Sequence, residues 1–159
     1  MMLPLWDGLV KTSHFDPEMA MLADRHYSRR TIGARQFCYA GRKLVLRDTA
    51  GEVLFVWMWP LDEMRQDNQT GYNCAIFRNE SRRLSSDIIL EAEQEAFNKW
   101  GINRVYTYVN GKKIRSSNPG CCFKKAGWVR QGFSRSGLTL LVKEPVDFAA
   151  KSEERTSDE

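Results

Sequence analysis

The sequence predicts a single α/β (α+β) domain with a mixed, mostly antiparallel central sheet flanked by helices. An apolar hairpin is followed by a strand, a long amphipathic helix and another strand, and a helical crossover of this kind normally joins parallel strands. A second pair of β-rich runs closes the chain. The length of 159 residues, 42% of them hydrophobic, suits one globular core and leaves little room for a second.

The first half of the chain predicts one helix and three strands. The helix begins at Asp16, which can cap it, and ends in the arginine-rich stretch 25–30. Two β-rich runs, 42–47 and 52–59, flank the turn sequence DTAG and predict a hairpin. A short strand is expected at 73–77.

The second half contains the clearest helix of the sequence. It opens at Leu84, either Ser85 or Ser86 is expected to cap it, and Gly101 ends it. Apolar residues recur on one of its faces at helical spacing. The remaining predicted elements are a strand, a short helix and two strands, at 104–109, 120–126, 128–131 and 138–142.

Charge and composition set the broad class. The net charge is +4, and without the tail from Lys151 to Glu159 it is +6. We expect one domain over 1–148 and a disordered charged tail over 149–159. A moderately basic body permits a polyanionic partner such as nucleic acid, or a cofactor with phosphates. No apolar run is long enough to cross a bilayer and no leader pattern opens the chain, so the prediction is a cytoplasmic protein without a membrane partner.

The cysteines predict free thiols of a reducing compartment. No C-x-x-C pair occurs among Cys38, Cys74, Cys121 and Cys122. A zinc site would need ligands from distant parts of the chain, with His14 or His26 to help. The sequence leaves open whether a metal is bound, since His26, Glu80 and a cysteine can converge in space.

One stretch carries a resemblance to a known family. Residues 118–128 read NPGCCFKKAGW. Members of the GCN5-related N-acetyltransferase family often have an asparagine in the loop after the fifth strand, then a short aromatic and lysine-rich helix that ends in Gly-aromatic. The order of elements over 16–143 also resembles that family. The resemblance implies an acyl-CoA donor with Asn118 beside the acyl group. It also aligns Cys122 with a tyrosine that can protonate the departing thiolate.

The family's phosphate motif is where this chain departs from the pattern. The family usually has Gln/Arg-x-x-Gly-x-Gly/Ala between the fourth strand and the next helix, where glycines let backbone amides approach a diphosphate. Here 78–83 read RNESRR, so the helix start remains and the glycines are absent. Acetyl-CoA or another acyl-CoA is thus an implied donor whose glycine motif is missing. The residues implied for cofactor binding are Arg82, Arg83, Ser85, Ser86 and Asn118.

Four short motifs carry a narrower resemblance. They are HYS at 26–28, RRLS at 82–85, TYVN at 107–110 and CFKKAGW at 122–128. They resemble elements of the bacteriophage Mom-like DNA-modification proteins, an acetyltransferase-fold group that alters adenine in DNA. The resemblance implies DNA as a partner and, for a phage-encoded chain, a bacterial host cell. The residues predicted to bind nucleic acid are Arg29, Arg30, Lys112, Lys113, Arg115 and Lys124.

Six residues are candidates for the chemistry: His26, Tyr27, Ser28, Arg78, Glu80 and Tyr108. His26 has a reference pKa suited to accepting a proton near neutrality, and Tyr27 can stack on a base or donate a proton. Arg78 can hold a phosphate or carboxylate at the carboxyl end of a strand, where Glu80 is a general base or an orienter. Structural roles remain open for the same residues, namely packing near His26 and a salt-bridged loop at 78–80.

Three functions remain open from the sequence. The first is a transferase acting on adenine in phage-type DNA, which must unstack its target base, with Tyr27 or Trp59 stacking on it. The second is an acyl-CoA-dependent N-acetyltransferase acting on a small-molecule or protein amine. The third is a nucleic-acid-binding module that has kept the fold and lost the chemistry.

Overall fold

The computed structural model describes residues 8–25, 41–59, 69–110, 120–134 and 136–146. These residues form seven strands and three helices. The strands are β1 (Val10–Thr12), β2 (Arg42–Arg47), β3 (Val53–Trp59), β4 (Tyr72–Asn79), β5 (Val105–Val109), β6 (Val129–Phe133) and β7 (Thr139–Lys143). The helices are α1 (Pro17–Asp24), α2 (Ser85–Trp100) and α3 (Cys121–Lys125).

All seven strands belong to one sheet in the order β1-β2-β3-β4-β5-β7-β6. Neighbours are antiparallel except β4 and β5, which are parallel because α2 carries the chain from one to the other. The mixed, mostly antiparallel sheet predicted from the sequence is confirmed. None of the helices in the described part of the chain is long and apolar enough to span a membrane.

Helices cover both faces of the sheet, and each face has its own core. On one face α1 packs Met19, Leu22 and Ala23 against alternate residues of β2, β3 and β4. On the other face α2 and α3 cover a larger aromatic core, in which Trp57 stacks on Trp128 with ring centroids 6.1 Å apart. The Trp57 indole also donates to the carbonyl of Ala92 on α2 at 2.8 Å.

The predicted ends of two helices are confirmed, because each depends on residues that are close together in the sequence. The Asp16 carboxylate accepts hydrogen bonds from the amides of Glu18 and Met19, as expected of an N-cap with Pro17 after it. Gly101 ends α2 with a φ of 90°, a conformation that favours glycine. The strand β1 was not predicted, because three residues at the edge of a sheet leave little pattern to detect.

The prediction that a serine caps α2 is wrong. Leu84, not a serine, is the N-cap of α2, and no side chain caps the helix. Ser85 lies inside the first turn, where its hydroxyl accepts from the Asn79 amide at 3.0 Å. Trp59, the other residue considered for stacking on a base, lies beside the beginning of β4, at the opposite end of that strand from Arg78. There it contacts Tyr72 and Trp100, and Arg42 covers its ring.

Candidate functional site

The candidate site lies where β4 and β5 separate. These parallel strands pair only at their beginnings, with Tyr72 opposite Val105 and Asn73 opposite Tyr106. One further link joins them, from the Thr107 hydroxyl to the Cys74 carbonyl at 2.8 Å. From Ala75 onward no strand of the described chain pairs with that edge of β4, and β5 pairs with β7 instead. In the described part of the chain, the carboxyl ends of the two strands are therefore separated by a gap, called here the cleft.

A β-bulge explains why the strands separate. Val56 of β3 pairs with Ile76, but the next residue, Trp57, pairs with Cys74, so Ala75 is an extra residue in β4. A bulge of this kind bends its strand and interrupts the ladder, and bulges are frequent beside functional sites. The bulge at Ala75 lies two residues after Asn73, the last β4 residue that pairs with β5. The cleft is therefore built into the sheet.

An ion-pair cluster, called here the arginine clamp, closes the α1 side of the cleft. It consists of Arg25, Arg78 and Glu80. The Glu80 carboxylate accepts from Arg25 at 2.7 and 3.0 Å and from Arg78 at 2.9 Å. Arg78 also donates to the backbone carbonyl of Arg25 at 3.1 Å. The clamp thus ties the end of α1 to the end of β4.

The contacts of the clamp favour one of the two roles considered for Glu80. The hydrogen bond from Arg25 and the one from Arg78 lower the pKa of Glu80 despite some desolvation. A carboxylate that is held ionised by two guanidinium groups is a weak base near neutral pH. Its geometry fits the orienting role, in which it fixes both arginines.

Replacing Glu80 by glutamine is expected to loosen the end of α1 and to change how stability depends on pH. Because the pKa of Glu80 is lower in the folded chain, its stabilising contribution is complete above the ordinary value of 4.5 and is lost as the pH falls through the folded value. Denaturant midpoints should therefore differ between wild type and Glu80→Gln at pH 7 and converge at an acidic pH below the lowered pKa of Glu80. Glu95→Gln on α2 is the matched control, and an equal gap at both pH values would contradict the assignment.

The β4–α2 loop, residues 80–84, is organised by the side chain of Asn79. Its Oδ1 accepts from the Ser81 amide at 2.9 Å, and its Nδ2 donates to the Arg83 carbonyl at 2.9 Å and to the Ser85 hydroxyl. The guanidinium of Arg83 pairs with Glu91 of α2 at 3.0 Å. Among the residues implied for cofactor binding, Arg82 alone is exposed in the described part of the chain.

Tyr108 and Cys122 lie on opposite faces of the sheet near the cleft. Tyr108 of β5 alternates with Val109, which belongs to the α2-side core, so its ring is on the α1 side, where it contacts Tyr106. Cys122 packs against the α2-side core, and burial raises the pKa of its thiol. The next residue, Phe123, meets Phe77 of β4 with ring centroids 6.0 Å apart. These contacts bring α3 under the open part of β4.

The structure brings three of the predicted catalytic residues, Arg78, Glu80 and Tyr108, to the carboxyl ends of neighbouring strands. Lys124 is exposed on α3. The other predicted positions lie outside the described residues: His26, Tyr27, Ser28, Arg29, Arg30, Lys112, Lys113, Arg115 and Asn118. In the described part of the chain no group of three or more His, Cys, Asp or Glu side chains is arranged to hold a metal ion.

Comparison with solved structures identifies the architecture. The chain is similar to an aminoglycoside acetyltransferase, AAC(6′)-Ib, in complex with coenzyme A and kanamycin, with a TM-score of 0.65 and 15% identity over 90% of this chain and 97% of that one. The same enzyme with ribostamycin and coenzyme A gives 0.65 and 14% over 89% and 95%. With paromomycin and acetyl-CoA it gives 0.62 and 15% over 90% and 97%. The chain has the GCN5-related N-acetyltransferase fold.

At 15% identity the likeness concerns the acetyltransferase fold alone. No family model matches the sequence, and no curated protein matches it. Nothing in these comparisons supports the narrower Mom-like resemblance. The fold prediction from element order and from residues 118–128 is nevertheless correct.

Sequence reasoning missed two residues of the site. Arg25 was assigned only to an arginine-rich helix end, yet it pairs with Glu80, which lies 55 positions further along the chain. Asn79 was treated as a loop residue, yet its side chain organises the whole β4–α2 loop. An asparagine followed two residues later by a serine, between a strand and a helix, is a local signal for such a turn. No comparable local signal marks a partner as distant as Arg25.

Proposed function

We propose that this chain is an N-acyltransferase that transfers an acyl group from a pantetheine thioester, such as acetyl-CoA, to the amine of a small molecule. The proposal favours the acyl-CoA alternative over DNA modification. The observation that carries it is the open edge of β4 beside β5, in a chain whose fold is that of acetyltransferases solved with coenzyme A.

The open edge of β4 suits a pantetheine arm. From Ala75 to Asn79 the side of β4 that faces β5 has no strand partner in the described chain. Such an edge offers backbone donors and acceptors to any extended chain that carries amides. The pantetheine arm is extended and contains two secondary amides, so it can pair with β4 as an added strand does. The thioester at its end would then lie in the cleft.

The acceptor amine is expected on the α1 side of the cleft, near Tyr108 and the arginine clamp. The clamp holds the end of α1 against β4, so it fixes one wall of the acceptor pocket. On the α2 side, the raised pKa keeps the thiol of Cys122 protonated at neutral pH. A neutral thiol can donate a proton to a departing thiolate, the role that the family resemblance gives to this position. Because a thiol is a weak donor, its contribution to the rate is expected to be small.

The proposal is tested with the purified chain, acetyl-CoA and a panel of primary amines that includes aminoglycosides, polyamines and amino acids. Mass spectrometry of the products should reveal one class of N-acetylated amine. Arg78→Ala is expected to lower kcat/KM at least about tenfold, because a loosened clamp misplaces the acceptor wall. Arg130→Ala, on the edge strand β6, is the matched control and should keep the wild-type rate. Absence of any acetylated product from folded protein would contradict the proposal.

One observation favours the second candidate, a DNA adenine-modifying transferase. Residues 101–143 contain nine lysines and arginines and no acidic residue. In the described part of the chain, Arg104 pairs with Glu144 and the buried Lys143 pairs with Glu93, so these two have structural roles. The other positions can follow a phosphate backbone, as the Mom-like resemblance implies.

The second candidate has its own test. Nucleosides digested from the DNA of cells that express the chain are compared by mass spectrometry with those from cells expressing a His26→Ala, Arg78→Ala double variant. A new adenine mass that appears only with the wild-type chain would favour DNA modification over acetylation of a small amine. Unmodified DNA from cells with soluble, folded protein would remove this candidate.

A further inference from the structure

We infer that the β4–α2 loop is closed against a diphosphate, so that the acyl donor is recognised through its thioester-bearing arm and not through its nucleotide end. This inference rests on the proposed acyl transfer and specifies which part of the donor the site reads. It starts from the hydrogen bonds inside the loop.

Most backbone amides of the loop are already in use. The Glu80 amide donates to the carbonyl of Glu52 on the neighbouring hairpin at 2.8 Å. The Ser81 amide donates to the Asn79 side chain at 2.9 Å, and the Arg83 amide donates to the Ser81 hydroxyl at 3.2 Å. A diphosphate is normally held by successive amides that point outward from such a loop. Here three of the four amides from Glu80 to Arg83 would first have to give up a protein hydrogen bond.

The side chains of the loop reinforce this closure. Ser81 and Arg83 stand where the family pattern has its two small residues, so both positions carry bulk in place of an open backbone. The Arg83 guanidinium is a cation that could hold a phosphate in place of the missing amide contacts, but it pairs with one oxygen of Glu91. The other oxygen of Glu91 accepts from the Leu9 amide at 2.9 Å. Arg83 is therefore part of a fixed network that also holds the N-terminal segment.

The open edge of β4 remains available to recognise the acyl donor. Its open edge begins at Ala75 and ends at Asn79, where the closed loop starts. A pantetheine arm can pair with this edge without any contact to the loop. Removing the nucleotide end of the donor should therefore cost little affinity. An enzyme that binds the diphosphate through its loop would lose most of its affinity for the donor on the same truncation.

The test measures binding of three ligands to the full chain by calorimetry under reducing conditions: coenzyme A, 4′-phosphopantetheine and pantetheine. We expect dissociation constants for the first two that agree within about threefold. The double variant Ser81→Gly, Arg83→Gly removes both side chains, including the Ser81 hydroxyl that accepts from the Arg83 amide. It should bind coenzyme A at least about tenfold more tightly than wild type does. Its affinity for phosphopantetheine should be unchanged. Arg82→Gly is the matched control, since it adds a glycine to the same loop but keeps the Ser81 hydroxyl that occupies the Arg83 amide, and it should bring no gain.

Each outcome decides a different point. Wild-type binding of coenzyme A that is thirtyfold or more tighter than that of phosphopantetheine would overturn this inference and leave the proposed acyl transfer standing. A double variant that is folded, as judged by its thermal midpoint, and gains no affinity would overturn the role given to the loop amides. If none of the three ligands binds the wild-type chain, the proposed function itself fails.

Discussion

Replacing Glu93 by alanine is expected to destabilise the fold by about 3–5 kcal/mol, because it leaves a lysine buried without its counter-charge. Lys143 is 1% exposed, and its ammonium donates to the two Glu93 oxygens at 3.2 and 2.9 Å. The same carboxylate accepts from the Trp128 indole at 2.6 Å. Lys143 also donates to the carbonyl of Ala126, so this buried network joins α2, β7 and the end of α3. The Glu93 carboxylate is the centre of this network, so its removal should also displace α3 from its position beneath the cleft.

Denaturant unfolding of the full chain at pH 7 measures this cost. The informative control removes both charges at once, by combining Glu93→Leu with Lys143→Met. Replacing a buried ion pair with apolar residues of similar size is often neutral or stabilising, although the Trp128 indole loses its acceptor. We expect the double variant to lie within about 2 kcal/mol of wild type. A single variant that loses less than about 1 kcal/mol would show that Lys143 finds another partner or water.

Replacing Gly71 by alanine is expected to cost more than about 3 kcal/mol, because backbone strain and a steric clash act together. Gly71 has a φ of 95°, and a Cβ there would overlap the backbone carbonyl oxygen of Arg104. That carbonyl accepts from the Tyr72 amide at 2.9 Å, at the first residue of β4. Since β4 and β5 pair at only two positions, pushing Arg104 away threatens their whole junction.

Gly137 provides the matched control for this prediction. Its φ is 86°, but a Cβ there meets nothing within 4 Å. Gly137→Ala should therefore report the backbone strain alone, about 1–2 kcal/mol. The difference between the two variants in their free energy of unfolding isolates the clash with Arg104. Equal losses would mean that the region around Arg104 can yield, and that the β4–β5 junction is less constrained than the geometry indicates.

The acetyltransferase fold and the hydrogen-bonded β4–α2 loop lead to different expectations about how an acyl donor is held. The fold is shared with enzymes solved with coenzyme A, while the hydrogen bonds of the β4–α2 loop oppose the usual way of holding a diphosphate. Measuring binding of the donor fragments and measuring transfer to amines therefore answer separate questions. The first concerns which part of the donor is read, and the second concerns whether acyl transfer occurs at all.

Elements whose cause is local could be determined from the sequence alone. Helical spacing of apolar residues predicts α2, and Gly101 ends it because only a glycine easily adopts its backbone conformation. The turn signature after β2 predicts the hairpin, and Asp16 with Pro17 predicts the start of α1. The order of these elements, with a helical crossover before β5, predicts the mixed sheet, and the resemblance of that order and of residues 118–128 to a known family predicts the fold.

The features that make a site depend on contacts between distant residues, and only the tertiary structure decided them. The bulge at Ala75 depends on how β3 and β4 align, and no pattern in β4 alone specifies that register. Arg25 reaches Glu80 because the end of α1 lies beside the end of β4. Asn79, by taking up the loop's hydrogen bonds, leaves Leu84 rather than a serine at the start of α2. Short-range propensity determined which elements form, and long-range packing and hydrogen bonding determined which of their side chains meet.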